Sequence, residues 1–195
     1  MDLALDALKE VSDEALLVAF GNGDLQAARA LTLRLTPRVV GYAARLLGGD
    51  RAEAEDVAQD AMLRLWKVAA EWRQGEAKVT TWLYRVVTNL CTDRLRKTRG
   101  VGIDSIPEPE DDAPSAADRM QDMARARALD QALEQLPDRQ RQAVVLRHIE
   151  GLSNPEIAAI MDLGVEAVES LTARGKRALA TQLADRRAEL GYEDD

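Results

Sequence analysis

Along residues 81–99, Arg85, Thr88, Asn89, Thr92, Arg96 and Arg99 fall on one side of a helix, with Lys97 close by. Guanidinium, amide and hydroxyl groups on one face, with no carboxylate interleaved, suit phosphates and base edges. Trp82, Leu83, Val86, Val87 and Leu90 form an apolar stripe on the other side, as expected of a helix laid against a core. A basic helix face alone fits a solvated surface equally well, so the nucleic-acid reading leans on a second signature.

That signature lies toward the C-terminus. Ser153-Asn154-Pro155-Glu156 reads as a capping box with proline in the first turn, launching a short helix over residues 154–161. Asp162-Leu163-Gly164 makes a tight glycine turn, and a longer helix follows from Val165 to about Leu183. These are the parts of a helix-turn-helix. The longer helix is expected to pack Ala167, Val168, Leu171, Ala178 and Leu179 inward. Its outward face is Glu166, Glu169, Ser170, Ala173, Arg174, Lys176 and Arg177, placed to enter a major groove. An ordinary helical hairpin would share the pattern without the DNA contact.

The elements that position these faces are helical. Of 195 residues, 46% are hydrophobic but only 4% aromatic, and Ala and Leu dominate, which favours helices over sheets. Ser12 can cap a helix over residues 13–20, ended by Gly21-Asn22-Gly23-Asp24. Helical pattern resumes at Leu25, is interrupted at Pro37, and runs on to Gly48-Gly49-Asp50. A third helix spans residues 51–70, and the polar stretch Trp72 to Lys78 leads into the basic helix. Further on, Leu136-Pro137 separates a helix over residues 125–135 from one over 138–150, which Gly151 ends. The expectation is an all-α protein of two small helical domains, residues 1–100 and 120–190. A flexible acidic linker over residues 101–119 joins them.

The formal charge of −8 is unevenly spread. From Asp104 to Asp122, seven acidic residues stand against the single Arg119, while the basic helix and the segment Arg174 to Arg187 are cationic. Such a chain should bind DNA weakly alone and better once a larger partner orients its basic faces. The single cysteine, Cys91, excludes an internal disulfide and a cysteine-based zinc cluster, fits a reducing cytoplasm, and reads as a small buried hydrophobe. The N-terminus lacks the basic flank of a signal peptide, and no apolar run is long enough to span a bilayer. A cytoplasmic protein without direct membrane insertion is expected.

Four motifs, in order, carry a resemblance. They are Ala54-Glu55-Asp56-Val57-Ala58-Gln59-Asp60-Ala61-Met62-Leu63-Arg64-Leu65-Trp66; Thr81-Trp82-Leu83-Tyr84-Arg85-Val86-Val87-Thr88-Asn89 with Asp93 and Arg94; Leu136-Pro137 with Arg139-Gln140-Arg141; and Glu150-Gly151-Leu152-Ser153 with Glu156-Ile157-Ala158. In order and spacing the chain resembles bacterial RNA polymerase sigma factors of the extracytoplasmic-function type, which keep regions two and four of the larger family. The resemblance spans residues 12–100 and 120–183.

It implies that Asp56, Gln59, Asp60 and Leu63 dock the clamp helices of the largest polymerase subunit, with the flap of the second subunit and promoter DNA as further partners. An exposed leucine ringed by an amide and two carboxylates makes sense as an apolar anchor with a polar rim. Trp72, Arg73, Lys78, Arg85, Asn89 and Arg96 match the surface that melts the minus-ten element and captures a flipped base. Glu166, Glu169, Ser170, Ala173, Arg174 and Arg177 match the reader of the minus-thirty-five element. The chain departs from common family usage at Lys78-Val79, where a small polar residue and an aromatic are usual. It departs again at Glu169, where Lys or Arg is frequent, and at Gly175, which interrupts a helix interior. Base preference therefore does not carry over. Family practice also implies an anti-sigma protein as a partner.

Two other classes remain in view. A helix-turn-helix regulator acting without polymerase accounts for the C-terminal half, but not for the Asp56-Gln59-Asp60 face or the basic helix. An enzyme would need paired catalytic groups. His148 is the only histidine, and neither a phosphate loop nor a nucleophile motif is present. No catalytic residue, metal ligand or cofactor is expected. Glu53, Glu55, Asp56 and Asp60 read instead as a helix N-terminus and a docking face.

Overall fold

In the computed structural model, residues 8–75, 77–100 and 117–184 are described, and among them eight α-helices and no strand occur. Helix α1 (Asp13–Gly21) opens at Ser12, whose hydroxyl accepts the Ala15 N–H at 3.2 Å. Its last residue needs to be glycine because of a neighbour. A Cβ on Gly21 would stand 2.6 Å from the Ala69 carbonyl oxygen in the 3-10 turn Ala69–Glu71.

Helix α2 (Leu25–Leu46) is capped by Asp24, which accepts from the Gln26 and Ala27 N–H groups. It runs unbroken through Pro37, where the sequence pattern implied an interruption. The proline deprives the Leu33 carbonyl of its helical donor, but Leu33 faces solvent at 61% exposure, where water can take that role. On the other side Leu31, Leu35, Val39, Tyr42 and Leu46 are buried. Arg34 holds the segment ahead of α1, donating to the Leu8, Lys9 and Val11 carbonyls and to Asp13 at 2.6 Å.

Helix α3 (Arg51–Val68), capped by Asp50, buries the stripe its spacing predicts: Ala54, Val57, Ala58, Ala61, Met62 and Leu65. Helix α4 (Val79–Gly100) is the basic helix. Its first N–H is taken by Glu14 of α1 at 3.0 Å, and Arg94 binds it to α3 through Glu53 at 2.6 Å and Asp60 at 3.3 Å.

Helix α5 (Ala117–Glu134) begins inside the stretch expected to be linker and well ahead of residue 125. Linker residues 101–116 lie outside the described residues. Helix α6 (Asp138–Val144) follows Pro137 and passes into a π-helical turn, Val145–Ile149, in place of the regular helix expected to residue 150. There the Glu150 N–H reaches back five residues to the Val145 carbonyl at 3.0 Å, which shifts the phase of the residues beyond.

Helices α7 (Asn154–Met161) and α8 (Val165–Ala184) complete the helix-turn-helix. Its left-handed residue is Asp162, φ 54°, and not Gly164, because a short polar side chain tolerates that conformation at a helix end. Ala167, expected inside, is exposed, whereas Val168 and Leu179 are buried. Gly175 does not interrupt α8. It admits α6, since a Cβ there would meet Val144 Cγ2 at 2.5 Å. One cluster of buried side chains runs from Leu16 and Tyr42 through Leu83 and Cys91 to Leu133, Leu146 and Ile157, so the cores of the two helical units are continuous.

Candidate functional site

The polar face of α3 stands where the spacing placed it. Asp56, Gln59 and Asp60 are exposed, and Leu63 is 50% exposed although the opposite stripe is buried. Asp60 is engaged, accepting from Arg94. The result is an apolar side chain in a ring of acceptors, on a helix whose back is locked into the core.

On α4, Arg85, Asn89 and Arg96 are exposed and share one side at helical spacing, with Arg96 3.4 Å from Asp93. Thr88 does not share that surface. It is buried, its hydroxyl donating to the Tyr84 carbonyl at 2.7 Å. A threonine hydroxyl has one proton, so Tyr42 must be the donor in its 2.8 Å contact with Thr88. Desolvation pushes the buried Tyr42 hydroxyl well above its ordinary range, which keeps it a donor. Cys91 lies deeper on the same helix. Burial pushes its thiol up to about 12, a value that makes it a packing residue and not a nucleophile.

The stretch ahead of α4 is divided. Arg73 is exposed, but Trp72 is half-buried, packed edge-on to Trp82 with ring centroids 6.1 Å apart and its indole N–H buried without an acceptor. Lys78 points to the second unit, where its ammonium lies 2.7 Å from Glu156. Glu156 also accepts from the Ser153 N–H at 2.8 Å and the Ser153 hydroxyl at 2.6 Å. The hydrogen bond from Lys78, and then those from Ser153, hold its carboxyl down to about 2, and Lys78 is raised in turn.

Sequence spacing did not reveal this seam between the units. The Tyr84 hydroxyl donates to Glu150, which also lies 3.6 Å from Arg38. Arg141, buried, donates to the Leu46 carbonyl at 3.0 Å and to Glu134 and Leu136 carbonyls of its own unit. Gln142 donates to Thr92 at 3.3 Å, and Arg45 meets Asp130. Burial, and then the donation to Glu150, raise the Tyr84 hydroxyl. Arg139-Gln140-Arg141 stood out as a motif, but its spacing carries no information about a carbonyl 95 residues upstream.

The outward face of α8 is open. Glu166, Glu169, Ser170, Ala173, Arg174, Lys176 and Arg177 are all exposed. Arg174 and Arg177 lie back along their own helix, onto the Ser170 and Ala173 carbonyls, while Glu169 accepts from Asn154 of α7 at 3.2 Å. On the adjoining surface, partial burial, and then the charges of Lys176 and Arg147, lower His148. No group of three or more His, Cys, Asp or Glu side chains suited to a metal occurs among the described residues.

Comparison with known proteins matches both parts of the chain to known families. Residues 31–101 match the Sigma-70 region 2 family, and residues 126–179 match Sigma-70, region 4. The chain is 36% identical over 174 residues to the ECF RNA polymerase sigma factor SigM of Mycobacterium tuberculosis, covering 89% of this chain and 86% of that one. The chain belongs to the ECF RNA polymerase sigma factors. To the ECF RNA polymerase sigma-E factor of Escherichia coli this sigma factor is 28% identical, over 88% of its own length and 94% of the relative's. Among solved structures it resembles CnrH in complex with the cytosolic domain of CnrY, at a TM-score of 0.65 and 25% identity, over 89% of this chain and 97% of that one. As a sigma factor it directs promoter-specific initiation by RNA polymerase. Among its described residues, no helix is long and apolar enough to cross a membrane.

Proposed function

We propose that the two matched regions divide the work by surface. Residues 1–100 form the unit that docks core polymerase and opens DNA, residues 101–119 tether, and residues 120–190 read the upstream element. Asp56, Gln59, Asp60 and Leu63 are the docking face, turned to the clamp helices of the largest subunit, while the second unit meets the flap of the second subunit. Trp72, Arg73, Lys78, Arg85, Asn89 and Arg96 engage the minus-ten element, and Glu166, Glu169, Ser170, Ala173, Arg174 and Arg177 the minus-thirty-five element. The chain acts by binding, in the cytoplasm, and catalyses no reaction of its own. The complex of the similar CnrH with the cytosolic domain of CnrY supports a further protein partner, for which we propose an anti-sigma protein.

The observation that carries this reading is Leu63, half-exposed among exposed Asp56, Gln59 and Asp60 on a helix whose opposite stripe is buried. Loss of an interface anchor of this kind costs about 1.4 kcal/mol of binding or more, which is roughly tenfold or more in affinity. Leu63→Glu should therefore weaken core binding about tenfold or more in a titration and reduce transcription in vitro equally. Its thermal midpoint should not move, because the side chain leaves no core contact behind. Undiminished affinity for core would remove this face from the interface. Sequence-specific DNA binding by the free chain, indifferent to core, would favour a polymerase-independent regulator.

A further inference from the structure

We infer that Asn154 is a positioning residue that aims the carboxylate of Glu169 at a base amino group in the major groove. The inference rests on the reading of α8 as the upstream-element reader and names the arrangement that sets its preference at one base pair.

Glu169 has three rotatable bonds and, on an exposed helix face, no reason to hold one geometry. Here Asn154 Nδ2 donates to its Oε1 at 3.2 Å. Asn154 is itself well placed to hold it. It is the first residue of α7, and the preceding Ser153 is closed onto Glu156 by two hydrogen bonds. Behind it α7 buries Ile157, Ile160 and Met161.

The donor is neutral. A lysine or arginine at this place would neutralise the carboxylate, whereas an amide orients it and leaves its charge intact. With Oε1 taken, Oε2 remains to accept, and in the major groove the matching donors are the amino groups of cytosine and adenine. A fixed negative acceptor both rewards that donor and rejects the carbonyl or N7 acceptors of guanine and thymine. Holding the acceptor in advance removes an ordering cost from binding, which sharpens discrimination more than it raises overall affinity.

The test is transcription by the full-length chain with core polymerase on a library randomised across the upstream element, with thermal melting of each variant alongside. Glu169→Ala should lose about tenfold or more of preference at one position. Asn154→Ala should lose part of the preference at that same position, roughly three- to tenfold, and leave the others unchanged. The double variant should be no flatter than Glu169→Ala alone, because the two act as one unit. Asn154→Asp, which places a second carboxylate beside the first, should be at least as flat as Asn154→Ala, and Asn154→Gln should restore part of the preference. A lowered melting temperature for Asn154→Ala with an unchanged profile would make the pair a staple between two helices and overturn the inference. If Glu169→Ala changes the profile and Asn154→Ala does not, only the positioning role fails. If Glu169→Ala itself leaves the profile unchanged, the base-reading role of Glu169 fails with it.

Discussion

Lys78 and Glu156 lie 78 residues apart in the chain and 2.7 Å apart in space, so the loop ahead of the basic helix is tied to the first turn of the helix-turn-helix. Glu156 thereby serves two structures, closing the cap of α7 and holding a cation of the other unit.

That double duty has a titration signature. The Glu156 carboxyl, ordinarily near 4.5, is held down to about 2. A carboxylate depressed in the folded state contributes stability that is complete above its ordinary value and fades as pH falls from there toward about 2. Carboxyl-detected NMR should find Glu156 titrating well below the ordinary glutamate value. In Lys78→Ala it should rise part of the way only, because the two Ser153 donors remain. A carboxyl indifferent to Lys78→Ala would mean that the pair does not form in solution.

The seam at Glu150 should respond more strongly than its ion pair suggests. Arg38 is 45% exposed, and a pair of that kind contributes about 0–1 kcal/mol. Tyr84 is buried, so Glu150→Ala leaves its O–H without this acceptor, at a cost of about 1–3 kcal/mol. Small-angle scattering of Glu150→Ala should show a larger radius of gyration as the units separate, and Arg38→Ala should leave it nearly unchanged. Equal curves for wild type and Glu150→Ala would show that other contacts hold the units closed.

Gly175→Ala tests the crossing of α6 and α8. Alanine favours a helix interior by about 1 kcal/mol over glycine. Here its methyl would sit 2.5 Å from Val144 Cγ2, and over-packing a buried contact costs about 1–3 kcal/mol. The net expectation is a loss of up to about 2 kcal/mol in denaturant unfolding. Val144→Ala should relieve much of it in the double variant. A more stable Gly175→Ala would mean that the two helices sit farther apart in solution.

Much of the fold was legible because periodicity and caps are local. Ser12 and the Ser153–Glu156 pair sit at helix starts as read, and the apolar stripe of α3 is the buried one, since side-chain direction follows from helical phase alone. Errors arose where a local rule met a neighbour or a solvent. Pro37 should break a helix, but the carbonyl it orphans belongs to Leu33, on the exposed side of α2. Gly175 should weaken one, but another helix occupies the space a side chain would take. Thr88 should be outward by phase, but a second surface covers it.

By itself the sequence determined most of the helices, the buried stripe of α3, most of the outward face of α8 and the motifs of both sigma regions, because each depends on residues within a few turns of one another. Only the tertiary structure decided that Trp72 packs on Trp82, that Lys78 is held by Glu156, and that Asn154 holds Glu169. It alone brought Arg38, Tyr84 and Glu150 together. These contacts join side chains on different elements, and their partners are chosen by how helices cross and turns fold back and by where the π turn at Val145–Ile149 rotates the chain. Spacing along one helix says which way a side chain points. It does not say what will be there to meet it.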